Sequence, residues 1–116
     1  MTGLIQLQSQ AAIASAIRAQ DPAKFAAFFD DEVELSIPDL EQILKKEDAQ
    51  KVITEFFNSI EVVSFDFKHS GRTSDGKSLY CIGALKTKRG AFRVFVYYED
   101  SSEAPVIKVF RIETDQ

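Results

Sequence analysis

The stretch "VVSFDFKHSGRTSDGKSLYCIGALKTKRGAFRVFVYY", Val62–Tyr98, decides the fold. Apolar and polar residues alternate along it, the period of a strand with one buried face. Turn-forming residues interrupt the alternation twice, at Ser74–Gly76 ("SDG") and at Lys88–Gly90 ("KRG"). Strands are therefore expected near 62–72, 77–88 and 91–100, and a fourth alternating run near 105–113 continues the meander. The chain's one histidine, His69, ends the row Val63, Phe65, Phe67, His69. A titratable ring in an apolar row makes the register of these strands the first question.

Glycine sets the expected register. In a three-residue hairpin loop, glycine takes the left-handed position of a type I turn plus bulge. Applied to "SDG", this pairs Thr73 with Lys77, His69 with Cys81, Phe67 with Gly83 and Phe65 with Leu85. Applied to "KRG", it pairs Thr87 with Ala91, Leu85 with Arg93, Gly83 with Phe95 and Cys81 with Tyr97. A two-residue turn at the second site would need positive φ at Lys88 and Arg89, which is costly for residues with side chains. At the first site a two-residue turn centred on Asp75-Gly76 is chemically acceptable and puts Ile82 opposite His69, so both registers stand.

In the preferred register one face carries Phe65, Phe67, His69, Cys81, Arg93, Phe95 and Tyr97. The other carries Tyr80, Ile82, Phe92, Val94, Val96 and Tyr98. The phenylalanine-rich face is expected under helices. The second is too apolar to be left in water and is the expected homodimer surface. Gly83, flanked by rings, would permit a bend, and a bent sheet closed by helices makes a cone.

The helices come first. Ala12, Ile13, Ala16 and Ile17 recur at helical spacing over about Gln8–Ala19, and "QDP" ends that helix because a residue before proline avoids the helical region. Asp21 and Pro22 then suit the cap and first turn of a second helix, "PAKFAAFF". "DDEVELSIP" switches to period two with Val33, Leu35 and Ile37 on one side, and "DLEQILKK" reads as a loop or a short edge strand. A third helix is expected over about Glu47–Ser59, with an apolar stripe of Ala49, Val52, Ile53, Phe56 and Phe57. The class is α+β: N-terminal helices packed on a strongly bent antiparallel sheet.

Composition narrows the function classes. The chain has 116 residues, 45% of them hydrophobic, and a formal net charge of -4. That is one domain with a real core, and its mild acidity argues against nucleic acid as the main partner. The basic hairpin tips (Arg72, Lys77, Lys86, Lys88, Arg89) read as solvated charge. One cysteine and one histidine cannot make a zinc site of the usual ligand spacing, and no cofactor is expected. No apolar run is long enough to span a bilayer.

Helices, a strand, another helix and a bent meander resemble the nuclear transport factor 2-like, or cystatin-like, superfamily. More narrowly, "IASAIRAQDPAKFAAFFDDEVELSIPD" and "FKHSGRTSDGKSLYCIGALKTKRGAFRVFVYY" are similar to a bacterial family of small, usually exported proteins without assigned activity. The most specific elements are His69 with Gly71, Asp75-Gly76, Ile82-Gly83, Leu85, Thr87, Gly90 and Arg93-Val94. The resemblance implies the cone, and export to the periplasm or outside. "MTGLIQLQSQ" has no basic start and no long apolar stretch, so no signal peptide is read in it. Residues 1–10 are taken as an extension or leader stub, and 11–116 as one cone-shaped domain.

Two functional readings follow. The first is a non-enzymatic binding or interaction domain, with His69, Arg93, Tyr97, Cys81, Phe67 and Phe95 around a pocket for a small apolar or anionic molecule. The second is an isomerase, dehydratase or hydrolase using His69 as base with Tyr97 and Arg93 as donors. Enzymes of the resembled superfamily place an aspartate inside the cone, and the inferred inner rows hold no carboxylate. His69 equally reads as a partly buried ring bonded near a strand end, Cys81 as a small core residue, and Arg93 as a marginal side chain reaching water.

Overall fold

The computed structural model describes residues 2–101 and 104–115, with backbone alone for 2–8. The leader-stub reading of 1–10 thus falls largely on side chains outside the described residues. Helix α1 spans Thr2–Arg18, starting upstream of the expected Gln8. Past its end Gln20 takes a φ of 50°, and the Asp21 carboxylate accepts the Lys24 N–H at 3.0 Å, capping α2 (Pro22–Ala26). Helix α3 spans Lys46–Asn58 and buries Ala49, Ile53 and Phe57, spaced one helical turn apart.

Gln20 does what its sequence position does not reveal. Its amide nitrogen donates to the carbonyls of Phe57 (2.8 Å) and Ile60 (3.0 Å), and its oxygen accepts the Val62 N–H at 2.7 Å. Gln20 thus ties the end of α3 to the start of the next strand, while the Ser59 N–H and hydroxyl both donate to the Phe56 carbonyl.

The strands are β1 (Phe29–Ile37), β2 (Leu40–Lys45), β3 (Val62–Arg72), β4 (Ser78–Thr87), β5 (Gly90–Glu99) and β6 (Val106–Thr114). They form one six-stranded sheet in the order β2-β1-β6-β5-β4-β3. "DLEQILKK" is resolved as edge strand β2, turned from β1 at Pro38 and Asp39, whose φ is 75°. Aspartate is among the residues that best tolerate that region. The sheet is mixed rather than wholly antiparallel, because β6 returns to lie parallel to β1. All three helices cover one face, here the inner face. Val33, Leu35, Phe65, Leu79, Leu85 and Val94 meet them there, each 1% exposed or less.

Register departs from expectation at both hairpins, and each departure has a local cause. At the second turn Thr87 pairs with Gly90, so Leu85 faces Phe92, Gly83 faces Val94 and Cys81 faces Val96. Lys88 and Arg89 avoid positive φ; Gly90 takes the unusual angle, 131°. The Thr87 hydroxyl holds the turn by accepting the Arg89 N–H at 3.0 Å and donating to the Gly90 carbonyl at 2.8 Å. A hydroxyl bonding two residues on is a turn signal in its own right. The pairings of Leu85 with Arg93, Gly83 with Phe95 and Cys81 with Tyr97 are therefore corrected by one residue, which turns every β5 side chain over.

At the first hairpin both candidate registers occur. Phe65 pairs with Leu85 and Phe67 with Gly83, but beyond a bulge at Lys68 His69 pairs with Ile82 and Ser70 with Cys81. The tip is a four-residue loop closed by Thr73 N–H to Ser78 carbonyl (2.9 Å), with Gly76 at φ 75°. An extra residue in one strand reverses facing beyond it. Phe67 therefore packs inward and His69 points out, exposed. A second irregularity turns Val63 outward as well, 63% exposed.

Candidate functional site

The face away from the helices, the outer face, holds most of the chemistry the sequence singles out. Across it, directly paired positions align His69 (β3), Ile82 (β4), Phe95 (β5), Arg111 (β6) and Ser36 (β1). The adjacent row holds Gly71, Tyr80, Tyr97, Val109 and Glu34. These rows interlock diagonally. The Tyr80 ring stacks on Phe95, centroids 6.4 Å apart at 17°. The Arg111 guanidinium lies 5.9 Å from the Phe95 centroid and pairs with Glu34 at 2.9 Å. On its other side Tyr80 lies over Gly71, where an added Cβ would come within 2.4 Å of the ring. A belt of side chains thus crosses five strands, from Gly71 to Glu34.

Beside the belt lies a groove of about 210 Å³ lined by Ile82, Arg93, Phe95, Arg111 and Glu113. Arg93 and Glu113 are direct cross-strand partners and both are exposed. They form no ion pair with each other, although Glu113 and Glu41 add to the negative field that raises the Arg111 pKa behind its hydrogen bond to Glu34.

The six candidate pocket residues divide between faces. Arg93, Phe95, Tyr97 and His69 are outside; Cys81 and Phe67 are inside. The six expected dimer residues divide too. Tyr80 and Ile82 are outside, whereas Val94, Val96 and Tyr98 are 0% exposed in the core and Phe92 packs against it. The one-residue shift at Thr87–Gly90 turns the β5 members of both sets over, and the bulge at Lys68 separately turns His69 outward. The trio read as base and donors shares a face without converging. His69 lies two strands from Arg93 and Tyr97, a backbone gap of about 10 Å, while Arg93 and Tyr97 flank Phe95 about 13 Å apart.

Arg111, Glu113 and Val109 were not singled out in the sequence. The signal was there: "VIKVFRIET" alternates, with Phe110 and Ile112 buried and Arg111 and Glu113 outward.

Inside, near the end of the sheet opposite the Lys88–Arg89 turn, a few polar groups survive in the core. Ser9 donates to Asp100 at 2.7 Å. The Tyr98 hydroxyl is buried, with Cys81 and Gln10 beside it and no well-formed hydrogen bond among the described residues, and burial raises its pKa, with Cys81 and Asp100 adding to the effect. Burial likewise pushes the Cys81 thiol from 9.0 up to about 11.

The sequence matches one protein family over residues 10–113, described as a domain of unknown function, DUF4783. The chain belongs to the DUF4783 family. None of the curated proteins matches the sequence. A DUF4783 family protein from Bacteroides uniformis is 25% identical, with a TM-score of 0.82 over 91% of this chain and 96% of that one. A cystatin-like protein of unknown function from Nostoc punctiforme is 11% identical, with a TM-score of 0.71 over 97% of this chain and 90% of that one. A ketosteroid isomerase-like protein from Erwinia carotovora atroseptica is 11% identical, with a TM-score of 0.73 over 94% and 92%. The nuclear transport factor 2-like, cystatin-like fold expected from the sequence is thus the fold of this DUF4783 domain.

No helix among the described residues of the DUF4783 domain is long and apolar enough to cross a membrane. Its cysteine behaves as core. With a thiol pKa near 11, native Cys81 holds about a hundredfold less thiolate at neutral pH than an ordinary cysteine, and the thiolate is the reactive form. Iodoacetamide at about pH 8 is expected to label the native protein at least ~100-fold more slowly than the unfolded chain. Equal rates would show a thiol open to solvent.

Proposed function

We propose that the chain is a non-enzymatic binding domain whose working surface is the outer face of its sheet. The observation that carries this is the contrast between the faces. The inner face is occupied by side chains packed under helices, and its titratable groups, Cys81 and Tyr98, are driven by burial toward their neutral forms. The outer face presents an aromatic and aliphatic centre, an open groove and a guanidinium, Arg93, that makes no hydrogen bond or ion pair within the described chain. General acid–base catalysis needs its groups within hydrogen-bond reach of one another or of a shared reacting atom. His69, Arg93 and Tyr97 lack that convergence, which favours binding over turnover.

For a small ligand, the groove suits a planar anion with an apolar body: the Arg93 fork would take a carboxylate and Phe95 with Ile82 the rest. Benzoate serves as the probe. Titrated into the labelled protein, it is expected to move amide resonances of Ile82, Arg93 and Phe95, with the shifts lost in Arg93→Ala. Shifts confined to Phe67, Leu79 and Cys81 would return the site to the interior and end the outer-face reading.

A further inference from the structure

We infer that the outer groove takes a zwitterion: an α-amino acid with an aromatic or branched aliphatic side chain, its carboxylate on Arg93 and its ammonium on Glu113. The inference rests on the outer-face reading above and names the ligand class.

Charge balance decides the class. Three charged side chains line the groove, and one of them, Arg111, is already matched by Glu34 at 2.9 Å. The next carboxylate along the Arg93 row is Asp66, beyond Ala84, and it pairs with Arg18 at 3.4 Å. One cation and one anion are left, Arg93 on β5 and Glu113 on β6, and they make no ion pair among the described residues. A ligand with a single negative charge would answer Arg93 and be repelled by Glu113, and a simple amine would do the reverse. A zwitterion answers both. An exposed ion pair between the two side chains is worth too little to compete strongly with it.

Spacing fits the same class. Arg93 and Glu113 are direct antiparallel partners, so their Cα atoms stand about 4.5–5.5 Å apart. An α-amino acid carries both charges on one carbon and meets two neighbouring side chains at once. Ala84, the partner of Arg93 on β4, sets only a methyl group beside that position. Two residues along the strands lies the row of Ile82, Phe95 and Arg111, about 7 Å away on the same face. A side chain leaving the charged carbon therefore lies over Ile82 and Phe95. The groove of about 210 Å³ is smaller than the roughly 300–1,000 Å³ of sites for drug-sized ligands, which suits a single amino acid.

L-Phenylalanine, 3-phenylpropionate (no ammonium) and phenethylamine (no carboxylate) share an apolar body and separate the two charges. They are titrated into the labelled protein, with the amide shifts of Ile82, Arg93 and Phe95 as the readout. Phenylalanine is expected to bind about fivefold tighter than either analogue, the upper end for an exposed charge contact. In Glu113→Gln it should bind no better than 3-phenylpropionate, because its ammonium loses a partner while the repulsion of the plain carboxylate ends. Glu113 is exposed, so a melting curve close to wild type is expected and confirms folding. An analogue that matches phenylalanine in the wild-type protein, or an advantage of phenylalanine that persists in Glu113→Gln, would overturn the zwitterion. In either case 3-phenylpropionate shifts at Ile82, Arg93 and Phe95 would leave the outer-face reading standing. Shifts confined to Phe67, Leu79 and Cys81, or none with any of the three, would remove both.

Discussion

Phe25→Ala is expected to lower the unfolding free energy by about 3–5 kcal/mol, as deletion of a fully buried ring does. Phe25 is 0% exposed. Its ring lies 4.7 Å from that of Phe110, 5.3 Å from Phe29 and 6.0 Å from Phe57, two of the contacts edge-to-face. It therefore joins α2, α3, β1 and β6 at one point. Helix α2 has only five residues, far below the length at which a helix holds itself in water, so it depends on this anchor. Because a domain of this kind is stable by about 5–15 kcal/mol in all, the variant should lose a large part of that margin. Urea denaturation measures the loss, and a value under about 1 kcal/mol would mean the aromatic cluster is not the core described.

Gly83→Ala is expected to cost about 2–3 kcal/mol, and Gly71→Ala less than about 1 kcal/mol, the reverse of the order their distances suggest. An added Cβ at Gly71 would come closer to its neighbour, 2.4 Å from the Tyr80 ring, than one at Gly83, 2.8 Å from the Asp66 carbonyl and the Phe65 ring. What yields decides the cost. Tyr80 is 37% exposed and can swing into solvent, giving up its stack on Phe95. The Asp66 carbonyl belongs to the backbone of the adjacent strand, and Phe65 is 1% exposed with no room to retreat. Paired denaturation curves distinguish the two. A larger loss at Gly71 would show that the outer belt, rather than the inner packing, limits the sheet.

Element by element, the fold was legible where local chemistry is unambiguous. Asp21-Pro22 marks a helix start because proline fixes φ and aspartate caps, and α2 begins there. The stripe of Ala49, Ile53 and Phe57 admits one buried helix face, and α3 shows it. Strand β3 runs over 62–72 as expected. The site was less legible because facing depends on turn length, and one residue of error inverts a strand. At "KRG" the two-residue turn is set aside because Lys88 and Arg89 would need positive φ; the structure forms that shorter turn without it, held by the Thr87 hydroxyl. The bulge at Lys68 changes the pairing from Phe67 with Gly83 to His69 with Ile82, a shift that no turn or proline in β3 marks. His69 therefore ends the phenylalanine row in the sequence but not in space. The question it raised is answered by the backbone, not by the ring.

The outer-face site exists only if Arg93, Phe95 and Tyr97 of β5 point away from the helices. Cross-strand nuclear Overhauser contacts between β4 and β5 measure that directly. Gly83 is predicted to face Val94, Leu85 to face Phe92, and Cys81 to face Val96. Contacts joining Gly83 to Phe95 and Leu85 to Arg93 instead would put the guanidinium under the helices and abolish the outer groove.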